Sequence, residues 1–472
     1  MKFRYALVAA FFMTAVLLLT NAYQIFSFEK TSSSRSSFSA NQPELQQFAD
    51  APLTAPKRYG ESIALSTSQN RITNILSTTL PKNSCIEVFD APNGQAESQP
   101  FIAINPTQQL VPASTNKIIT AAVVLSVLDP DSTLDTSLIA ESKSSTLSRA
   151  YIKTSGDPSF VTSKIPPSRR PSYLSPTHVH TFEDFASKTY SAGVRSITNL
   201  VIDNTWFDLD AIESGWSKDK EQVGALAALN ADEGYEGNAL AASADTHAAA
   251  LLKSVFTAKG ITINNITFGA IPEKLSKSDS VIAQTSSASV KELVSDMLKT
   301  SDNVYAEQLL AAAVYASGGN VTKRSRADFV SQQLKKLSID ASGYVFINGS
   351  GYTTNARSTC ALENDVVDAM NSRDIDLVKL SSHANHDGTL AKRFTNLPTD
   401  LYAKTGTLNG VTALTGLLGD DILFSFISNG SFSEEGGKAL QESVVSTLSR
   451  FPFVVAPKFP DTFGQGPERS AK

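Results

Sequence analysis

The stretch Val111-Pro-Ala-Ser-Thr-Asn-Lys117 places a serine three residues before a lysine at the start of a predicted helix. Pro112 favours the first turn of this helix, which we expect to continue to Leu125. Side chains three residues apart on a helix share one face, so Ser114 and Lys117 should meet. The apolar run that follows predicts burial, which disfavours a charged ammonium. Lys117 is therefore a candidate base for Ser114, and the helix N-terminus would favour a developing alkoxide there.

A second motif, Ser301-Asp-Asn303, follows a predicted amphipathic helix over 289–299. A hydroxyl and an amide two positions apart in a loop can point into one cleft. Ser301 could then relay a proton, while Asn303 could hold a substrate amide and orient Lys117. The alternative is an ordinary helix cap, a position that Ser, Asp and Asn favour.

A third motif, Lys404-Thr-Gly406 followed by Thr407, is predicted to begin a strand. An edge strand beside a nucleophile offers backbone groups to an extended peptide, and Gly406 permits close approach. Lys404 supplies positive charge for a terminal carboxylate, with Thr405 and Thr407 as hydroxyl donors. The backbone N–H groups of Ser114 and Thr407 could form an oxyanion hole. The alternative is a strand-opening turn with a solvated lysine.

Each motif alone is weak, since Ser217-Lys-Asp-Lys220 repeats the first pattern by chance. Their order and surroundings carry the argument, because together they supply a set for serine acyl transfer without a histidine. The predicted catalytic residues are Ser114, Lys117, Ser301, Asn303 and Lys404. No G-x-S-x-G turn accompanies them, which disfavours a Ser-His-Asp triad.

The chain has 472 residues and a net charge of −5, and its length predicts roughly two to three folded units. No basic stripe with interleaved aromatic residues occurs, so nucleic acid is not an expected partner.

The N-terminal segment 1–28 has two basic residues before a long uncharged stretch, which is typical of an export signal. Thr20-Asn-Ala22 offers a cleavage site, yet the stretch also reaches the about 20 residues of a membrane anchor. Both interpretations stay open. We expect export to the outer face of the cytoplasmic membrane, the periplasm or the cell wall. Segment 29–58, rich in Ser, Pro and Gln, is predicted to be a linker.

Strands and helices from both ends of the chain are predicted to share one α/β (α+β) unit. This discontinuous catalytic domain comprises 59–145 and 288–455, with an inserted, mostly β-containing domain over 146–287 and a loose tail over 456–472. The patterns that place its elements are a hairpin of two strands, two later strands and a C-terminal helix: 85–89, 101–104, 410–418, 421–428 and 434–450.

The chain contains two cysteines, Cys85 and Cys360. In an exported protein they could pair, but their positions in the sequence give no geometry. We expect two buried small residues and assign no disulfide.

The motifs and their surroundings resemble the low-molecular-mass penicillin-binding proteins of the D-alanyl-D-alanine carboxypeptidase/endopeptidase family, peptidase family S13. The resemblance runs from about residue 80 to 455. Its specific part is a set of six local contexts: Val111-Pro-Ala-Ser-Thr-Asn-Lys117, Ser155-Gly-Asp-Pro158, Ser301-Asp-Asn-Val-Tyr-Ala-Glu307, Asn348-Gly-Ser-Gly351, Asp387-Gly-Thr-Leu390 and Ala403-Lys-Thr-Gly-Thr-Leu408. Class A β-lactamases differ, because their first two motifs lie much closer together.

The resemblance implies a fold of the penicillin-recognising serine transpeptidase/β-lactamase type, with an antiparallel sheet flanked by helices. It implies an acylated Ser114 activated by Lys117, cleavage of D-Ala–D-Ala or D-amino-acid crosslinks in peptidoglycan stem peptides, and inhibition by β-lactams. No metal or organic cofactor is implied. Ser301, Asn303 and Lys404 would serve the leaving amine and position the substrate, with Thr405, Gly406 and Thr407 at its carboxylate.

Two features depart from the family pattern. The inserted region looks short, and Tyr352-Thr353-Thr354 replaces a Leu-Ser-Arg-like run. Trp206 and Asp208 fall in a segment similar to one near the family's site for the substrate's diamino-acid side chain. They are candidates for substrate binding, although a buried tryptophan and a turn aspartate explain them equally well.

Three competing interpretations remain. His383-Ala-Asn-His386-Asp387 hints at a metal site, but it lacks helical ligand spacing and a general-base glutamate, which favours a solvated loop. A β-lactamase or esterase on the same scaffold would differ in the rate of deacylation. A non-catalytic wall-binding or β-lactam-sensing ectodomain is disfavoured by the intact set of catalytic residues.

Overall fold

The computed structural model describes residues 55–91, 99–163, 180–209, 216, 224–236, 239–275 and 280–451. The predicted signal or anchor over 1–28, the tail over 456–472 and the linker up to residue 54 lie outside these ranges. The chain divides into two compact units, Met1–Ala64 and Leu65–Lys472. The site described below belongs to the second unit. Within the described ranges, every helix is too short or too polar to cross a membrane.

Strands and helices are interspersed along the described residues. The strands are β1 Ser84–Asp90, β2 Ile102–Ile104, β3 Thr133–Ile139, β4 Thr146–Thr154, β5 Phe160–Val161, β6 His180–Thr181, β7 Ser196–Ile202, β8 Tyr235–Glu236, β9 Ala239–Leu240, β10 Thr262–Phe268, β11 Val281–Ser289, β12 Ser382–His383, β13 Leu401–Leu408, β14 Val411–Leu418 and β15 Ile422–Asn429. The α-helices are α1 Ala55–Thr79, α2 Asn116–Leu125, α3 Phe182–Ser191, α4 Ala244–Ala258, α5 Val290–Thr300, α6 Asn303–Ala316, α7 Lys323–Lys336, α8 Cys360–Asn371 and α9 Glu434–Leu448.

A six-stranded antiparallel sheet combines strands from the N-terminal and C-terminal parts of the chain, in the order β12-β13-β14-β15-β1-β2. The predicted hairpin is β1 with β2, and β1 pairs on its other side with β15, where Ser84 lies opposite Ser428. The strand and helix patterns near the C-terminus correspond to β14, β15 and α9. The predicted fold class, an antiparallel sheet flanked by helices, is confirmed.

Helices cover both faces of this sheet. On one face, apolar residues of α9, including Leu440 and Val444, form a core with Leu414 and Phe426 of the sheet. On the other side, α2 is buried along its whole length, and it contacts α5, α6 and α8. Because α2 is apolar on nearly every face, it forms the centre of the largest core. The turn that leads into α2 is therefore held in place by this buried helix.

A five-stranded mixed sheet, in the order β10-β7-β4-β3-β11, forms the other large layer. Strands β10, β7 and β4 are parallel, whereas β3 and β11 run antiparallel to their neighbours. Apolar residues of α3 and α4 pack with those of the sheet in a separate core. This sheet includes β3, which lies before residue 146, and β11, which ends at Ser289. It therefore extends beyond the predicted insertion 146–287 at both ends. The division into domains stays a prediction.

Cys85 and Cys360 form a disulfide with a Cα–Cα distance of 5.9 Å. From the sequence we assigned no disulfide and left the pairing open, and the structure supplies the bond; both cysteines are fully buried, as we expected. Cys85 lies on β1 and Cys360 begins α8, and the two elements pack together only in the folded chain. A sequence separation of 275 residues gives no sign of this proximity.

Candidate active site

The turn that carries Ser114 is a short 3₁₀ segment, Ala113–Thr115, which leads directly into α2. Ala113 has a φ of 50°, a conformation that costs a non-glycine residue about 1 kcal/mol or more. This turn presents Ser114 half-exposed beside the buried start of α2. The Nζ atom of Lys117 lies 3.0 Å from Ser114 Oγ, so the two side chains meet as helix geometry predicts.

Lys117 is fully buried, and all three of its possible donor directions have acceptors. Its Nζ atom donates to Ser114 Oγ, to Asn303 Oδ1 at 2.7 Å and to the Ser350 carbonyl oxygen at 2.8 Å. These hydrogen bonds hold the Lys117 amine beside the Ser114 hydroxyl. They also connect Ser301-Asp-Asn303 to the first motif.

Burial lowers the pKa of Lys117 to about 7. The carboxylates of Asp302 and Glu307 act in the opposite direction, because negative charge favours the ammonium form. An amine with this pKa is largely neutral slightly above pH 7 and can accept a proton from Ser114. The geometry and the titration of Lys117 thus both suit a general base.

Ser301-Asp-Asn303 joins two helices, and each of its residues has a separate position. Ser301 ends α5 with a φ of 61°, and Asp302 caps α6 by accepting a hydrogen bond from the Tyr305 N–H at 2.9 Å. Asn303 is the first residue of α6 and points to Lys117. The helix-cap alternative therefore holds for Asp302, while Ser301 and Asn303 lie in the site.

Lys404 is the second fully buried lysine of the site. Its Nζ atom donates to Ser301 Oγ at 2.9 Å and to the Thr405 carbonyl oxygen at 2.8 Å. Burial holds the pKa of Lys404 well below its usual value, and the charge of Lys117 acts in the same direction. The strand begins at Leu401, three residues earlier than we predicted, so Lys404 projects from within β13.

Gly406 lies against the turn that carries the nucleophile. A Cβ atom at this position would be 2.5 Å from the Pro112 carbonyl oxygen and 3.1 Å from the Thr115 nitrogen. Strand β13 can therefore approach the turn only because residue 406 has no side chain. In the described chain, β12 pairs with β13 only at residues 402 and 403, which leaves the later part of β13 without a strand partner on that edge.

A loop, Asn348-Gly-Ser-Gly351, supports Lys117 from behind and is itself held by a buried ion pair. Glu307 accepts hydrogen bonds from the backbone N–H groups of residues 349 and 350, at 3.0 and 2.8 Å. Arg326 pairs with the same carboxylate, and both side chains are fully buried. Sequence reasoning missed Arg326, because a single arginine on a polar helix is usually solvated.

The same loop is also tied to α2. The side-chain amide of Asn116 donates to the carbonyl oxygens of residues 348 and 349, and Thr120 Oγ1 donates to the latter at 2.6 Å. Gly351 has a φ of 71°, and a Cβ atom there would lie 2.1 Å from the Ala113 carbonyl oxygen. The loop and the nucleophile turn are therefore packed as one rigid unit.

Trp216 is a second residue that sequence reasoning missed. It is 8% exposed, and its indole N–H donates to Ser350 Oγ at 3.1 Å. Val304 and the partly buried Tyr352 belong to the same apolar cluster. The run Tyr352-Thr353-Thr354, which departs from the family pattern, thus begins with a residue that packs beside the site.

Trp206 and Asp208 are the two remaining residues that we predicted to bind substrate. Trp206 is 3% exposed and stacks on Tyr315 with ring centroids 4.3 Å apart. Tyr315 is twelve residues beyond Asn303 on α6, a distance of about 18 Å along the helix axis. The backbone N–H of Asp208 donates to the Val321 carbonyl oxygen. Trp206 therefore packs towards the end of α6 opposite Asn303, whereas the neighbours of Asp208 in sequence, Phe207 and Leu209, pack on the cluster of Trp216 and Val304. A substrate-binding role for Trp206 or Asp208 stays a prediction.

Glu363 is a buried carboxyl group behind the nucleophile turn. It accepts hydrogen bonds from the hydroxyls of Thr115, Thr415 and Ser425. Burial raises its pKa to about 7, and these hydroxyl donors offset part of that effect. Glu363 therefore links the turn to the central strands of the six-stranded sheet.

The antiparallel sheet flanked by helices, with a serine beside one buried lysine and a second buried lysine on β13, defines the fold class of the penicillin-binding proteins. Residues 91–242 and 224–451 match the model of the D-Ala-D-Ala carboxypeptidase 3 (S13) family. The chain belongs to this family and is a hydrolase of the D-Ala-D-Ala carboxypeptidase type.

Three known proteins illustrate the similarity. Carboxypeptidase DacB of Mycolicibacterium smegmatis is 27% identical over 339 residues, which cover 67% of this chain and 71% of that protein. The D-alanyl-D-alanine carboxypeptidase of an Actinomadura species is 23% identical over 446 residues, covering 74% and 79%. The structure of penicillin-binding protein 4 from Haemophilus influenzae aligns with a TM-score of 0.62 at 18% identity, covering 77% and 94%.

Proposed function

We propose that the protein is a serine-type D-Ala-D-Ala carboxypeptidase that acts on peptidoglycan stem peptides through an acyl-enzyme on Ser114. The single observation that carries this proposal is the contact of Lys117 Nζ with Ser114 Oγ at 3.0 Å, made by a lysine whose pKa is about 7.

In the first step, Ser114 Oγ attacks the carbonyl carbon of the penultimate D-alanine while neutral Lys117 accepts the hydroxyl proton. The tetrahedral intermediate collapses, the peptide C–N bond breaks, and terminal D-alanine leaves with a proton on its amine. Ser301 is the proton relay to that amine, since its hydroxyl accepts from Lys404 and remains able to donate.

In the second step, a water molecule attacks the ester carbonyl carbon and the ester C–O bond breaks. The shortened stem peptide leaves as its carboxylate; of the two water protons, one restores the Ser114 hydroxyl and the other passes to solvent. The backbone N–H groups of Ser114 and Thr407 stabilise the oxyanion in both steps. An extended substrate lies along the edge of β13 that lacks a strand partner, with its carboxylate at Thr405 and Thr407.

β-Lactams are proposed to inhibit the enzyme by acylating the same serine. The structure of penicillin-binding protein 4 from Haemophilus influenzae in complex with a β-lactam, which aligns with a TM-score of 0.59 at 18% identity, supports a shared fold for such binding. Hydrolysis of crosslinked dimers by the same site, an endopeptidase activity, is part of the proposal, because acyl transfer needs only a D-amino acid on the leaving side.

The substrate implies that the enzyme works outside the cytoplasm, in the periplasm, the cell wall or at the outer face of the membrane. The buried disulfide between Cys85 and Cys360 supports this, because disulfides persist mainly in oxidising compartments. Either a cleaved export signal or a retained N-terminal anchor within segment 1–28 would deliver the enzyme there.

The test is covalent labelling by a fluorescent penicillin together with release of D-alanine from a pentapeptide. Ser114→Ala should abolish both, whereas Ser126→Ala, at the other end of α2, should retain both. Labelling that persists in the Ser114 variant would exclude the proposed nucleophile.

The product profile then separates the activities. Free D-alanine from defined muropeptides indicates a carboxypeptidase, and split dimers indicate an endopeptidase. Rapid loss of a β-lactam without lasting label would instead favour the β-lactamase alternative.

A further inference from the structure

Two histidines and an aspartate converge at the outer edge of the six-stranded sheet. His383 lies in β12, His386 follows in the next turn, and Asp400 immediately precedes β13. One potential ligand atom from each side chain lies within 4.8 Å of the other two. Among the described residues, this is the only group of three His, Cys, Asp or Glu side chains with that arrangement.

The strand pairing of β12 with β13 creates this proximity. His383 lies directly opposite Tyr402 and stacks on its ring with centroids 4.2 Å apart. On its other face His383 stacks on His386 at 4.0 Å. The Nε2 atom of His383 is 3.1 Å from Asp400 Oδ1. The ring of His383 is therefore held between two neighbours and points at the carboxylate.

The distances suit a small dication. Zn²⁺ binds nitrogen and oxygen ligands at about 2.0–2.2 Å in tetrahedral geometry, which places neighbouring ligand atoms about 3.4 Å apart. The contact of His383 with Asp400 already has nearly this separation. The side chains of His386 and Asp400 are exposed, so both can rotate inwards by the remaining distance.

The nearby Asp387 is used in another way. Its carboxylate accepts from the His383 backbone N–H at 2.7 Å and pairs with Lys299 Nζ at 2.7 Å. This engagement fixes the turn between the two histidines and leaves Asp400 as the carboxylate ligand.

We propose that His383, His386 and Asp400 bind one transition-metal dication, with Zn²⁺ as the best match and water at the fourth position. Two imidazoles and one carboxylate suit zinc, copper or nickel, whereas calcium and magnesium prefer oxygen ligands alone. The bound ion would clamp β12 to the start of β13, where the two strands share only two paired positions.

The clamp lies next to the strand that carries the third motif. Ser382 Oγ contacts Thr389 Oγ1 at 3.1 Å, and Thr405 Oγ1 donates to Thr389 at 2.9 Å. Asp400 lies four residues before Lys404, a distance of about 13 Å in an extended chain. The ion is therefore a structural element near the cleft and takes no part in the acyl-transfer steps.

Isothermal titration of the full, metal-free chain with ZnCl₂ tests the proposal without reference to enzymatic activity. We expect one equivalent to bind and the melting temperature to rise with it. His386→Gln and Asp400→Asn change exposed side chains and should keep the fold. Each should weaken binding roughly tenfold or more, since one of three ligands is lost.

The matched control is His180→Gln. His180 contacts Asp157 at 3.2 Å, a similar imidazole–carboxylate pair that belongs to no three-ligand group among the described residues. Zinc binding should be unchanged in this variant. The proposal is overturned if the unaltered chain binds no zinc, or if His386→Gln binds as tightly as the control.

Discussion

Acylation of Ser114 by a penicillin should accelerate as the pH rises through about 7 and level off about one pH unit above that. The reason is that only neutral Lys117 can accept the hydroxyl proton, and its pKa is about 7. Below this pH the amine of Lys117 is protonated, and its lone pair can no longer accept the proton of Ser114. Every hydrogen-bond partner of the ammonium then remains in place, so the rate is lost without loss of the fold.

The size of the effect follows from the fraction of neutral amine. With a pKa of about 7, roughly 1% of Lys117 is neutral at pH 5, about 9% at pH 6 and half at pH 7. The second-order rate constant for acylation should therefore rise about tenfold per pH unit below 6 and reach half its maximum near 7.

Asp302→Asn sharpens this prediction. The carboxylate of Asp302 raises the pKa of Lys117, so its removal should move the midpoint of the rate profile to lower pH. Asparagine caps helices as well as aspartate does, which preserves the start of α6. Stopped-flow or quenched labelling with a fluorescent penicillin gives the rates, and circular dichroism over the same pH range checks the fold.

Two results would refute this reasoning about Lys117. One is a rate that changes less than about twofold between pH 5 and 7. The other is a midpoint that moves to higher pH in Asp302→Asn while the fold is intact.

Gly406→Ala should reduce acylation roughly 100-fold because its Cβ atom would push β13 from the nucleophile turn, whereas Gly436→Ala, which has room for a methyl group, should label normally. Arg326→Met should lower the free energy of unfolding by about 3–5 kcal/mol, because it leaves a buried carboxylate unpaired. Arg324→Met, which removes an exposed pair, should cost under about 1 kcal/mol in the same urea titration, and equal losses would contradict this. Glu363 has a pKa raised to about 7, so the folded chain holds that proton more tightly than the unfolded chain does. Stability should fall by about 3 kcal/mol between pH 4.5 and 7, a loss that Glu363→Gln should not show.

Local spacing was sufficient to predict the central part of the site. Ser114 and Lys117 meet because residues three apart on a helix share a face, and this depends on no distant contact. Lys404 could be connected to the other motifs only through the order of the three motifs and the family resemblance, not through local geometry. Its contact with Ser301 is made across the fold, and no sequence period encodes it.

The features that sequence reasoning did not predict share one cause, because each depends on contacts between elements that are far apart in sequence. Cys85 and Cys360 meet because β1 packs against the start of α8. Arg326 is buried because Glu307 on another helix offers a carboxylate.

The pairing of β1 with β15 has a consequence for the biosynthesis of the enzyme. Ser84 and Ser428 lie opposite each other across 344 positions of sequence. The ribosome therefore releases nearly the whole polypeptide before β1 acquires this neighbour, and the strand that carries Lys404 is also made late. Such long-range pairing slows folding and leaves strand edges open in the nascent chain. Ser114 and Lys117 are therefore synthesised long before Lys404, so the contact of Lys404 with Ser301 can form only after β13 has left the ribosome.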